Sequence, residues 1–202
     1  MPKVILASAS PRRKEILENL GISFTCVCPD VEEVTDQKTA DGVVRDISRQ
    51  KGIAVANVLK SQGQDVSDTL IIAADTAVVL DMEILGKPKN KESACKMLRA
   101  LSGRTHFVTT GVTLIYGEQI LTENELTKIC FATLTDEQIK GYVATGECMD
   151  KAGAYAIQGK AAPFITRIEG DYFNVVGFPV HRFSQMVSKL GLTIQPDGKI
   201  VE

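Results

Sequence analysis

Two rhythms of apolar and polar positions alternate along the first half of the chain, and the second half is dominated by the shorter of them. Residues 4–7 are an apolar run that gives way to a small polar turn at residues 8–10. Ser10 then suits a helix N-cap and Pro11 the first helical position, with Ile16, Leu17 and Leu20 as the apolar stripe and Gly21 as the stop. Ile22, Phe24, Cys26 and Cys28 alternate, which predicts a strand ended by Pro29 that delivers the acids Asp30, Glu32 and Glu33. Val43, Val44, Ile47, Ala54, Val55, Val58 and Leu59 recur at spacings of three and four and predict a helix over residues 40–61. Residues 69–80 begin as a continuous apolar run, the mark of a strand buried on both faces.

Asp81, Met82 and Glu83 read as a turn, and a helix with Ala94, Met97, Leu98 and Leu101 inside follows over residues 91–101. Residues 104–117 and 120–131 form a long predicted hairpin, and Thr135 with Gln138 makes a capping box for a helix with Ile139, Tyr142 and Val143 inward. A second hairpin is predicted from residues 164–168 and 172–176 around a turn at Glu169, Gly170 and Asp171. The last helix starts at Pro179, and the polar tail from Gln195 is expected to fray. Helices and strands that alternate first and give way to hairpins predict an α/β domain with a mixed sheet spanning residues 1–202.

Composition narrows the classes. The 202 residues are 44% hydrophobic and 24% charged, enough for one well-filled core. A net charge of -2 gives no bulk attraction to nucleic acid or acidic membranes, so anion recognition has to come from local clusters. With no long apolar segment and no signal-peptide layout, the expected compartment is the cytoplasm. Five scattered cysteines and two histidines leave neither a zinc site nor a disulfide framework in view. Cys26 and Cys28 read as packed thiols, and His106 as a satisfied strand histidine.

Against that background several side chains stand out. Arg12, Arg13 and Lys14 occupy a first helical turn, where the helix dipole disfavours cations. Either water screens them or the turn is a phosphate site, with Ser8, free amides and guanidiniums converging on an anion. Lys51 lies on the apolar stripe of its helix, so its ammonium either snorkels or faces a cleft. Asp75 interrupts a buried strand, and a carboxylate there has to be paired, metal-bound or of raised pKa. Lys87 is presented from the rigid Gly86-Lys87-Pro88 turn. Gln158 can read the edge of a base or satisfy a backbone group in a turn. The Walker A and dinucleotide-binding glycine patterns are both missing.

The pieces LASASPRR, Glu32 with Glu33, Lys51 in SRQKG, AADT at 73–76, GKP at 86–88, LSGRTH at 101–106, DKAGAYAIQG at 150–159 and GDYFNVVGFP at 170–179 together resemble the Maf family of nucleoside triphosphate pyrophosphatases over nearly the whole chain. The resemblance implies an ITPase-like fold, a long mixed sheet flanked by helices forming two lobes around a deep cleft, commonly in homodimers. It implies hydrolysis between the alpha and beta phosphates with a divalent cation, Mg2+ or Mn2+. By that resemblance Asp75 is the general base and Glu33 a further acid, both being metal partners. Lys51 and Lys87 bind phosphate, and Ser8 and Arg13 belong to the anion-binding turn. Members resembling dTTP and UTP enzymes carry SPRR, Asp-Thr and Ile-Gln-Gly, while those resembling 7-methyl-GTP enzymes carry tryptophan, glutamine and glutamate at the variable positions. Arg12, Thr76 and Gln158 therefore place this chain with the pyrimidine group and are its expected specificity residues. A small-molecule nucleotide is the implied partner, with no nucleic acid or membrane. The resemblance also leaves open a nucleotide-binding regulator of cell division and septum formation with little or no turnover.

Overall fold

A computed structural model describes residues 1–28 and 31–202; Pro29 and Asp30, which the sequence reading placed at a strand end and in an acidic cluster, lie outside the described residues. The long elements appear where the periodicity puts them. Strand β1 (Lys3–Leu6) leads into helix α1 (Pro11–Asn19), β2 (Thr25–Cys26) precedes helix α2 (Ala40–Ser61), and β3 (Thr69–Leu80) turns back into β4 (Glu83–Leu85). Helix α3 (Lys91–Leu101), strands β5 (Thr105–Tyr116) and β6 (Gln119–Phe131), and helix α4 (Asp136–Ala144) follow. Strand β7 (Ile165–Glu169), helices α5 (Tyr172–Val176) and α6 (Val180–Lys189), and a terminal pair β8 (Thr193–Ile194) and β9 (Ile200–Val201) complete the chain.

Among the described residues seven strands form one sheet in the order β2-β1-β3-β5-β6-β7, with β4 paired to β3. β1 runs parallel to both β2 and β3, whereas β4 and β7 are antiparallel to their partners. The expected α/β class with a long mixed sheet and flanking helices is what the chain forms.

The fold separates into two compact units, each discontinuous in sequence. The first comprises Met1–Asp75, Thr110–Glu125 and Gly177–Glu202. Its core joins β1, β3 and β5 to α2 through Ile5, Val55, Leu59, Ile71, Ala73 and Ile115. Thr39 caps α2 by accepting from the Gly42 amide at 3.2 Å, leaving the helix to run 22 residues on its amphipathic stripe. Gly111 lets α2 lie directly on the sheet, since a Cβ there would fall 2.3 Å from the Val44 carbonyl oxygen. The second unit comprises Thr76–Thr109 and Leu126–Val176. Leu98 and Leu101 of α3 and Ile139, Tyr142 and Val143 of α4 are buried in it, both helices being closed by reciprocal capping boxes at Asn90/Ser93 and Thr135/Gln138.

Four local expectations are corrected. The strand expected over residues 22–28 shrinks to Thr25–Cys26, because it lies at the sheet edge and pairs with β1 alone. Cys26 and Cys28 are therefore exposed thiols rather than packed ones. Residues 172–176 form α5 instead of a strand. The Asp171 carboxylate accepts from the Phe173 amide at 2.7 Å, and the buried Asn174 amide donates to the Val108 carbonyl and to Thr127 Oγ1, both at 2.9 Å. The turn expected at Asp81–Glu83 is present, with Asp81 and Met82 at φ 51° and 71°, but it leads into β4, whose three residues are too few for a period to show. The tail does not fray: β8 pairs antiparallel with β9, and Ile200 is buried.

Candidate active site

The turn after β1 is built around Arg13. Burial of Leu17 and Ile16 fixes α1 against the core, and this brings Arg13 inward with only 9% of its surface exposed. Its Nε donates to the Gly177 carbonyl at 2.9 Å and its Nη1 to Ser8 Oγ at 3.0 Å. Ser8 Oγ also accepts the Ser10 amide at 3.2 Å, so one buried hydroxyl ties the turn to the guanidinium. Burial lowers the Arg13 pKa to about 10, with Asp75 and Glu33 pulling it back up and Arg12 pushing it further down. The group stays cationic at neutral pH. The charge lies within electrostatic reach of Arg12, Glu33 and Asp75, all in the first unit.

Strand β3 is buried through Ala74 and becomes half-buried at Asp75 and Thr76. Lys51, on the inward stripe of α2, answers the question its position raised: its ammonium does not snorkel alone but lies 2.7 Å from Asp75 Oδ1 and 2.8 Å from Glu33 Oε1. Lys51 and Asp75 are about four-fifths buried, whereas Glu33 is half exposed. An ammonium held between two carboxylates in a partly dry setting is a strong interaction and a costly one to leave unmade. Ser8, Arg13, Glu33, Lys51 and Asp75 are thus brought into two contacting groups within one unit, with Arg12 beside them.

The remaining candidates belong to the second unit. Thr76 continues β3, half-buried. Lys87 is exposed on the turn between β4 and α3, between Gly86, whose carbonyl accepts the Gly153 amide at 3.1 Å, and the buried Pro88. Gln158 is exposed in a turn closed by the Gly159 amide donating to the Ala156 carbonyl at 3.1 Å, next to the buried Ile157. The Gly86–Gly153 bond ties the lysine-bearing turn to the start of the segment that carries Gln158.

His106 is fully buried, with Nε2 2.8 Å from the Tyr155 hydroxyl and Phe131 and Tyr155 packed edge-on at 5.0 and 5.4 Å. Its Nδ1 has no partner among the described residues, so the strand histidine is only half satisfied. Burial lowers its pKa to about 4 and keeps it neutral. Sequence reasoning missed the Gly177 carbonyl that anchors Arg13, since a backbone acceptor has no side-chain signature.

Among the described residues no group of three or more His, Cys, Asp or Glu side chains gathers into an all-protein metal cage. The donor set suits a hard divalent cation in another way. Glu33 and Asp75 already share one positive charge, and two carboxylates completed by water and substrate phosphates is the usual binding mode of Mg2+.

A buried guanidinium in a tight turn and a lysine set between two acids are the charged groups that the first unit brings together. The match to known sequences is specific: the Maf family, described as Maf-like protein, matches residues 3–190, and the chain belongs to that family. A dTTP/UTP pyrophosphatase of Symbiobacterium thermophilum is 46% identical over 200 residues, covering 98% of this chain and 99% of that one. One of Lachnoclostridium phytofermentans is 44% identical over 199 residues, at 96% and 98% coverage. One of Bacillus anthracis is 42% identical over 195 residues, also at 96% and 98%. A HAM1 protein structure from Coxiella burnetii has a TM-score of 0.49 at 16% identity, covering 94% of this chain and 100% of its own.

Proposed function

We propose that this protein is a nucleoside triphosphate pyrophosphatase that hydrolyses dTTP and UTP to the monophosphate and pyrophosphate. The carrying observation is the Lys51 ammonium between Glu33 and Asp75, with the buried Arg13 charge in reach, in a chain whose relatives are named for that reaction. In this reading Asp75 accepts the proton of a water attacking the alpha phosphate in line. Arg13, Lys51 and Lys87 offset charge on the departing pyrophosphate, and the Ser8 hydroxyl orients Arg13. Glu33 and Asp75 are the side chains that would hold Mg2+ or Mn2+, which when bound supplies Lewis-acid polarisation of the phosphoryl oxygens.

Arg12, Thr76 and Gln158 are proposed to select the base. A glutamine amide donates to a base carbonyl and accepts the N3 hydrogen, a pattern uracil and thymine share. The whole chain is proposed to act as one catalytic domain, as a homodimer in the cytoplasm. No helix among the described residues is long and apolar enough to cross a membrane.

The test is pyrophosphate release from dTTP or UTP with Mg2+ or Mn2+. Asp75→Asn should lower kcat by ~10²-fold or more, the scale of a lost general base, while the variant stays folded and still binds nucleotide. Wild-type turnover in that variant would remove Asp75 from the role. Binding without release, across the common triphosphates and both metals, would instead favour a nucleotide-responsive regulator of cell division.

A further inference from the structure

The segment that presents Gln158 is short, and each of its ends is held by a side chain. At one end the Ala156 amide donates to the Tyr142 hydroxyl at 3.1 Å. At the other the Lys160 amide donates to the Glu147 carboxylate, at 3.0 Å to Oε2 and 3.3 Å to Oε1. Burial raises the phenol's pKa, so the Tyr142 hydroxyl stays protonated at neutral pH. Tyr142 is 4% exposed on α4 and packs edge-on against Phe164 with ring centroids 5.5 Å apart, so its hydroxyl is a fixed point.

Gly159 fits the same design. A Cβ there would lie 2.3–2.5 Å from the Glu147 carboxylate atoms, so the absence of a side chain is what lets the carboxylate reach the Lys160 amide. Gln158 is left as the exposed residue between the buried Ile157 and this glycine. Three-residue turns with free ends sample many orientations, and ordering them at binding would oppose it.

We propose that Tyr142 and Glu147 are positioning residues for base recognition, clamping the two ends of the loop that carries Gln158 so that its amide is oriented before the nucleotide arrives. The inference rests on the reading of Gln158 as the base reader. Neither clamp residue touches substrate; they act through Gln158 alone. A clamp of this kind separates affinity from chemistry: it governs how well one base is preferred and leaves the phosphate end unchanged.

The test is a double-mutant cycle read by binding, so that it does not depend on turnover. Probes are the non-hydrolysable α,β-imido analogues of UTP and ATP with Mg2+, titrated against the full-length protein. Tyr142→Phe deletes one hydroxyl and should weaken the UTP analogue ~10-fold, the scale of one lost buried hydrogen bond, with the ATP analogue within ~2-fold. In a Gln158→Ala background, the same substitution should change UTP-analogue affinity by less than ~2-fold. Gly159→Ala, whose methyl displaces the Glu147 carboxylate from an exposed loop, should reproduce the pattern even where Tyr142→Phe harms folding.

Equal losses for both analogues, losses that multiply in the double variant, or an unchanged base preference in Gln158→Ala would each overturn the clamp. If the cycle behaves as expected and wild type releases no pyrophosphate from UTP, the hydrolytic reading falls and the clamp stands.

Discussion

Arg13 and His106 are both buried, and burial acts on them with different consequences. Arg13 keeps its charge because a guanidinium starts so far above neutrality that a fall to about 10 leaves it protonated, and two fixed acceptors, the Gly177 carbonyl and Ser8 Oγ, aim its fork. His106 loses its charge, since burial drops its pKa from 6.5 to about 4 and no carboxylate contributes to raising it. The unfolded chain therefore takes up a proton at this residue near pH 6.5, and the folded chain near pH 4. Between those values the unfolded state binds more protons, so stability contributed by neutral His106 is complete above pH 6.5 and is lost as pH falls towards 4. At about 1.4 kcal/mol per pH unit the full loss is about 3 kcal/mol. Urea unfolding of wild type and His106→Gln at pH 7 and pH 4.5 checks it: the wild type should lose about 2–3 kcal/mol more than the variant over that interval. Parallel losses in the two proteins would show that the imidazole is not the titrating group.

Helix α2 carries Lys51, and its seat on the sheet is set by two glycines with opposite tolerance. At Gly111 an added Cβ would meet rigid backbone, 2.3 Å from the Val44 carbonyl oxygen and 2.5 Å from its carbon. At Gly52 it would meet the end of a flexible side chain, Ile115 Cδ1 at 3.2 Å. Gly111→Ala should therefore destabilise by about 1–3 kcal/mol through overpacking. Gly52→Ala should stay within about 1 kcal/mol of wild type, because alanine's helix propensity offsets the small adjustment of Ile115. Chemical denaturation midpoints compare the two, and an equally mild Gly111→Ala would mean that α2 shifts without cost. The same elements show what the sequence makes legible. The bounds of α2, β3 and α3 could be read from it because their patterns are long and their caps are local. α5 could not, because its conformation is decided by Asn174 reaching Val108 and Thr127, far away in the chain. The terminal hairpin was also hidden, as strands of two residues carry too few positions for any period to show.

Candidate residues were legible in the same unequal way. Charged residues in unfavourable places, Arg13 in a first helical turn, Lys51 on an apolar stripe and Asp75 in a buried strand, were visible from sequence because each violates a local rule. The supports were not, since the Gly177 carbonyl behind Arg13 and the Tyr142 and Glu147 side chains proposed to hold the Gln158 loop break no rule. What those violations cost the folded chain sets an expectation for ligand binding. The first unit holds a buried guanidinium and a lysine alongside two acids, an arrangement that a triphosphate with its metal would relieve by adding both anionic and cationic partners. The non-hydrolysable α,β-imido analogue of UTP with Mg2+ at about 100 times Kd should stabilise the folded protein by about 2.7 kcal/mol. For a chain of 202 residues, with about 2–4 °C per kcal/mol, the thermal midpoint should rise by about 5–11 °C. Asp75→Asn should keep most of the rise while losing turnover, since it removes the proton acceptor and leaves Arg13, Lys51 and Glu33 for the nucleotide and its metal. Scanning calorimetry with the UTP analogue, Mg2+ and EDTA separates the contributions. A full rise in Asp75→Asn that persists in Arg13→Gln as well would place the phosphate charge elsewhere than the turn after β1.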